Sequence, residues 1–149
     1  MALAALALAG CGGGDDDGGR NGLTNTRPSG DAQGEEVVRA WADAVREGDI
    51  EAANELFAVP ATIANGGPKV RLDNRAGINA FNESLPCGAQ VVDTQAASGG
   101  YVRVTFRLVE GAGGTPCSGE AEVSFRIEDG RITEWLREAA GPPPGSTEI

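Results

Sequence analysis

The fold is decided by residues 120–138, EAEVSFRIEDGRITEWLRE, where two alternating runs flank Asp129-Gly130. The first run is apolar at every second position from Ala121 to Ile127, the pattern of a strand with one buried face. Asp-Gly between two such runs is a strong signal for a tight β-hairpin. The segment therefore predicts two antiparallel strands that share one apolar face.

Two further strands are predicted before this hairpin. Residues from Val102 to Leu108 alternate in the same way, and a run around Val91 ends at Ser-Gly-Gly, residues 98–100. Together the four runs predict an antiparallel meander. Its apolar face needs a cover, which the rest of the chain must supply.

The N-terminal half of the folded region predicts helices for that cover. Apolar residues recur at helical spacing in the first helix: Val37, Val38, Trp41, Ala44 and Val45. That helix ends at Gly48, and Asp49 is the N-cap of a second helix. The second helix has Phe57 on its apolar face and ends before Pro60.

A short hairpin and a third helix complete the cover. The hairpin pairs residues 61–64 with residues 70–72 across a Gly-rich turn. Asp73 or Asn74 is the N-cap of the third helix, which ends before Pro86. The predicted order is thus helix, helix, hairpin, helix and a four-stranded meander.

Several short motifs accompany this order: Trp41, Ala42-Asp43-Ala44, Gly48-Asp49, Leu56-Phe57, Ala61-Thr62-Ile63, Gly77-Ile78, Phe81 and Asp129-Gly130-Arg131-Ile132. With them, the chain resembles the nuclear transport factor 2-like superfamily, which includes SnoaL-like polyketide cyclases and ketosteroid isomerases. The resemblance extends over residues 35–139. It implies an α+β fold in which a bent, mixed or antiparallel sheet forms a cone around three helices, with a ligand pocket at the open end.

The resemblance also implies positions for proton transfer. Trp41 stands where the isomerases have a tyrosine, Asn65 where they have the aspartate base, and Val123 where they have a protonated aspartate. None of these side chains exchanges protons near neutral pH, and the chain has no histidine for the Asp/His arrangement of the cyclases. The pocket residues that the resemblance implies are Trp41, Ile63, Asn65, Phe81, Phe106, Val123, Phe125 and Trp135.

The register of the last strand decides whether a carboxylate enters that pocket. A two-residue turn at Asp129-Gly130 would place Ile132 and Glu134 inside, making Glu134 a candidate catalytic base. A three-residue loop would instead place Trp135 and Arg137 inside and leave Glu134 in solvent. The resemblance favours the second register, and a charged side chain is rarely buried unpaired.

Residues 1–11 end in Leu8-Ala9-Gly10-Cys11, which resembles a bacterial lipobox. Small residues precede the cleavage site, and the Cys11 thiol accepts the lipid. No basic residue precedes the apolar run, so we expect the signal peptide to begin upstream. The Gly- and Asp-rich residues 12–34 and the Pro-rich residues 140–149 are expected to be a disordered tether and tail.

Composition excludes several partners and chemistries. A net charge of −10 gives no basic surface for nucleic acid, and three separated cysteines without histidine predict neither a metal site nor a cofactor. Cys87 and Cys117 fall at the same end of the predicted sheet. We expect them to form a disulfide, because the protein is predicted to be exported.

These observations favour a non-catalytic lipoprotein module of the bacterial cell envelope, anchored on the outer leaflet of the cell membrane or facing the periplasm. Its cone would bind a small apolar ligand or an envelope partner. Two alternatives stay open at this point. One is an isomerase, cyclase or lyase that uses a pocket carboxylate such as Glu134, and the other is a scaffolding module that forms a homodimer through the sheet.

Overall fold

The computed structural model describes residues 30–139. Within them, three helices and two strands come first, and four strands follow. The helices are α1 (Gly30–Glu47), α2 (Ile50–Glu55) and α3 (Arg75–Glu83). The strands are β1 (Phe57–Asn65), β2 (Val70–Leu72), β3 (Gly88–Ala97), β4 (Tyr101–Val109), β5 (Glu120–Glu128) and β6 (Arg131–Arg137). The predicted lipobox, residues 12–29 of the tether and the tail from residue 140 lie outside the described residues.

All six strands form one mixed sheet in the order β2-β1-β6-β5-β4-β3. The predicted hairpin β1–β2 and the meander β3–β6 are confirmed as antiparallel pairs. β1 joins the meander by pairing parallel to β6. The α+β architecture expected from the sequence is therefore confirmed, with α1 packed along β3, α2 packed against α1 and α3, and α3 packed against β1 and β2.

The helix ends follow local signals in part. Gly48 has a φ of 77°, which glycine tolerates, and the Asp49 N–H donates to the Ala44 carbonyl at 2.9 Å, so α1 ends where predicted. Its start at Gly30 precedes the predicted domain boundary at Glu35. No helix among the described residues is long and apolar enough to cross a membrane.

The expected end of the second helix is wrong. α2 ends at Glu55, Phe57 begins β1, and Pro60 lies exposed within that strand. The Ile132 N–H donates to the Leu56 carbonyl at 2.8 Å, so the chain joins β6 directly after the helix. Pairing with a distant strand overrides the local helical pattern here.

The last hairpin combines features of both predicted registers. Asp129 and Gly130 have φ values of 51° and 74°, which fit a two-residue type I′ turn. Ile127 pairs with Ile132, but Arg126 pairs with Glu134, so Thr133 is an extra residue on β6 and forms a β-bulge. The bulge changes the parity of the strand: Ile132 is inside, as the first register predicts, and Trp135 is inside, as the second predicts.

A disulfide joins Cys87 to Cys117, as predicted, and holds the loop after β4 against the start of β3. Gly111 in that loop is buried, and a Cβ added there would lie 2.0 Å from the Pro86 carbonyl oxygen. A Cβ at Gly88 would lie 2.7 Å from the Glu110 carbonyl oxygen. The two backbones therefore touch at positions that only glycine allows.

Gly111→Ala should lower the free energy of unfolding by about 1–3 kcal/mol, because the new methyl group forces the loop away from Pro86. Chemical denaturation of the oxidised protein measures the change. Gly113→Ala is the matched control, since nothing lies within 4 Å of its added Cβ, and it should change stability by less than about 0.5 kcal/mol. Equal effects of the two variants would contradict this close packing.

Candidate functional site

A cavity of about 230 Å³ lies between α1 and the sheet, at the end where β1 and β6 finish. We call it the apolar cavity. Its lining residues are Trp41, Ala42, Val45, Asn65, Leu85, Pro86, Cys87, Ala89, Phe106, Leu108, Ala121, Val123, Trp135 and Arg137.

Burial changes with depth in the apolar cavity. Its floor consists of Trp41, Phe106 and Trp135, whose exposed fractions do not exceed 3%. Asn65 and Arg137 stand exposed at its mouth, where the Arg137 Nε donates to the Asn65 Oδ1 at 2.7 Å. These two are the polar side chains of the lining, so an apolar floor leads to a polar rim.

The floor is an edge-to-face cluster of aromatic rings. The Trp41 ring centroid lies 6.1 Å from Phe106, 5.7 Å from Phe125 and 6.1 Å from Trp135. Phe81 packs on Trp135 at 5.0 Å. Such pairs contribute about 0.5–1.5 kcal/mol each beyond the area that they bury, so the floor is held in one arrangement.

A chain of side-chain amides fixes the orientation of Trp41. Its Nε1 donates to the Oδ1 of Asn82 at 3.0 Å, and Asn82 is 1% exposed. Asn82 donates in turn to Asn54 at 2.7 Å, and Asn54 donates to Asn79 at 2.8 Å. The Trp41 N–H is therefore engaged within the protein, whereas the buried N–H of Trp135 has no partner among the described residues.

Five of the eight predicted pocket residues line the apolar cavity: Trp41, Asn65, Phe106, Val123 and Trp135. The other three do not. Ile63 and Phe81 line a separate shallow groove beside β2, and Phe125 is fully buried within the core. Strand and helix periodicity predict which side chains face inward, but the aromatic packing decides which of them reach the cavity surface.

Sequence reasoning also missed important residues. Asn82 is not among the predicted site residues, yet its side chain accepts the Trp41 N–H and so holds the floor of the apolar cavity. Only one of the two predicted registers of β6 places Arg137 inside, and neither predicts its position at the mouth of the apolar cavity. The third helix is predicted to end before Pro86 and Cys87 is predicted to form a disulfide, but neither prediction identifies the segment from Leu85 to Cys87 as a cavity wall. No local pattern in the sequence marks these contacts, because each joins segments far apart in the chain.

Glu134 lies on the opposite face of the sheet from Trp135. Its carboxylate accepts a hydrogen bond from the Tyr101 hydroxyl, and this hydrogen bond raises the pKa of Tyr101. The Arg126 guanidinium lies 4.4 Å from the centre of the Tyr101 ring and donates to the Gly99 carbonyl at 2.8 Å. The candidate base Glu134 therefore lies outside the apolar cavity, hydrogen-bonded to Tyr101. No carboxylate that the structure describes lines the apolar cavity.

The sequence from residue 38 to residue 135 matches the family model described as a SnoaL-like domain. No curated protein matches the chain. The matched part contains the second half of α1, all of α2 and α3, the strands from β1 to β5, most of β6 and most of the lining of the apolar cavity.

Solved structures share the architecture. A candidate polyketide cyclase from Xanthomonas campestris pv. campestris is 21% identical, with a TM-score of 0.58 over 75% of this chain and 93% of that chain. A candidate ketosteroid isomerase from Kribbella flavida is 22% identical, with a TM-score of 0.55 over 76% and 84%. A nuclear transport factor 2-like protein of unknown function from Mesorhizobium loti is 23% identical, with a TM-score of 0.56 over 76% and 95%. At sequence identities below 25%, these structural similarities show a common fold and no more.

Asn82→Ala should lower the free energy of unfolding by about 2–3 kcal/mol, because it leaves the buried Trp41 N–H without an acceptor. Urea denaturation measures the loss. Asn79→Ala is the matched control: it removes an amide at the half-exposed end of the same chain and should cost less than about 1 kcal/mol. A loss as large in the control as in Asn82→Ala would show that the chain does not depend on its buried member.

Proposed function

The chain belongs to the SnoaL-like domain family, and from that premise we propose that it binds a small apolar molecule in the apolar cavity without transforming it. We propose further that the domain is a lipoprotein module of a bacterial cell envelope. The family includes enzymes with a closely similar fold, so the proposal depends on the residues of this cavity and not on the architecture.

The observation that carries the proposal is the chemistry of the lining. Aromatic and aliphatic side chains form the floor and walls, and the polar lining groups are the Asn65 amide and the Arg137 guanidinium. An amide does not titrate, and a guanidinium stays protonated at any physiological pH. General acid–base catalysis needs a group that gains and loses a proton near neutral pH, whereas burial of an apolar ligand needs only the surface that is present.

The position of Glu134 supports the same proposal. To bring its carboxylate into the apolar cavity, β6 would have to shift its register by one residue. That shift would place the Trp135 ring in solvent and break the hydrogen bond from Tyr101. Exposing a buried tryptophan costs several kcal/mol, by the magnitudes of large-to-small substitutions in cores. The outer position is thus the stable one, and the carboxylate is kept away from a bound ligand.

The N-terminal sequence supports the envelope location. A lipid on Cys11 would hold the domain at a membrane surface through the Gly-rich tether. A flexible linker of about 20 residues would span on the order of 25 Å. The domain would then reach apolar molecules close to the membrane, and the disulfide Cys87–Cys117 fits an oxidising compartment.

Binding of 1-octanol should give a saturable change in tryptophan fluorescence, because both tryptophans of the chain line the apolar cavity. Ala121→Leu fills the cavity from β5 and should weaken binding at least tenfold. Ala97→Leu makes the same change in β3 away from the cavity and should leave binding unchanged. Circular dichroism confirms that both variants fold. Absence of saturable binding to the unaltered protein would refute the proposed function.

Cys11→Ser should release the protein from membranes into the soluble exported fraction, because the serine hydroxyl does not accept the lipid. The measurement is fractionation of bacteria that express the full chain, followed by immunoblotting. Thr24→Ala serves as the control, since it leaves Cys11 and the disulfide in place. A Cys11→Ser variant that stays with the membrane would refute lipid anchoring at this residue.

A further inference from the structure

The mouth of the apolar cavity contains one cation, Arg137. It lies at the end of β6, directly opposite Asn65 in the parallel pair with β1. Its Nε is occupied by the Asn65 Oδ1 at 2.7 Å, and the guanidinium forms no ion pair with a carboxylate that the structure describes. The two Nη groups therefore remain as donors beside the opening.

The same hydrogen bond orients the Asn65 side chain. Because its Oδ1 accepts the hydrogen bond from Arg137, its Nδ2 keeps two N–H donors. The rim thus presents donors from two strands and a full positive charge. An oxygen anion at this mouth would meet charge-assisted hydrogen bonds while an attached apolar body occupies the floor.

We propose that the ligand of the apolar cavity is a small amphiphile with one carboxylate, held by Arg137 and Asn65 at the mouth. This inference rests on the proposed function and names the class of molecule bound. The planar guanidinium matches a carboxylate in geometry and in unit charge. Ligands with several negative charges are disfavoured, since a chain of net charge −10 repels them beyond this single cation.

The size of the apolar cavity limits the apolar body. A volume of about 230 Å³, at roughly 30 Å³ for each water-sized group, accommodates about eight carbon-sized groups. A medium-chain carboxylate such as octanoate therefore matches both the floor and the rim. Longer chains would extend past Arg137 into solvent, and a shorter chain would leave part of the aromatic floor unfilled.

The test compares octanoate with 1-octanol, which has the same carbon chain without the charge. Titrations follow tryptophan fluorescence of the intact protein at constant ionic strength. We expect octanoate to bind on the order of tenfold more tightly than 1-octanol. Arg137→Gln should remove this preference, because it lowers the affinity for octanoate far more than the affinity for 1-octanol. Arg107→Gln is the matched control, because it removes the same charge from β4 away from the apolar cavity and should keep the preference.

A second variant makes the outcome independent of one arginine. Asn65→Asp places a carboxylate at the rim, and it should weaken binding of octanoate at least tenfold and binding of 1-octanol far less. Equal affinities of the unaltered protein for the two ligands, or a preference that survives Arg137→Gln, would overturn the carboxylate assignment and leave the proposed function standing. Failure of both ligands to bind would overturn the proposed function itself.

Discussion

The buried indole of Trp41 connects the helices of this protein to its sheet. Its ring packs edge-to-face on Phe125 and Trp135, and its N–H donates to Asn82. An indole N–H shielded from water needs an acceptor, and Asn82 is itself held by Asn54. The positions of α1, α2 and α3 are thereby coupled through one chain of hydrogen bonds. The apolar cavity lies against the same ring and takes its shape from this arrangement.

One extra residue in β6 decides the chemistry on the two faces of the sheet. The bulge at Thr133 turns Trp135 toward the helices and Glu134 toward the outer face. There the carboxylate meets the Tyr101 hydroxyl, and Arg126 covers the tyrosine ring. A regular hairpin would have placed a carboxylate inside the cone and an indole in water. β-Bulges commonly re-aim side chains next to functional sites, and here the result is an apolar floor.

The fold is shared with proteins described as candidate cyclases and isomerases, but shared architecture does not fix the chemistry of a site. In this SnoaL-like domain, the cavity wall includes the segment from Leu85 to Cys87, which the disulfide and the contact at Gly111 hold in place. A rigid wall and an aromatic floor favour binding, because little conformational entropy is lost when a ligand enters. Under the proposed function, the polar rim at Arg137 would then distinguish a carboxylate from an uncharged apolar molecule.

The sequence by itself determined the order of the elements, the meander, the hairpin turn at Asp129-Gly130 and the end of α1 at Gly48, because alternation, turn residues and caps act over a few neighbouring residues. The family resemblance also named the three floor residues, Trp41, Phe106 and Trp135. Only the tertiary structure decided the end of α2, the bulge at Thr133, the acceptor role of Asn82 and the place of Arg137 at the mouth. Each of these depends on a contact between segments distant in the chain, and local patterns contain no information about such contacts.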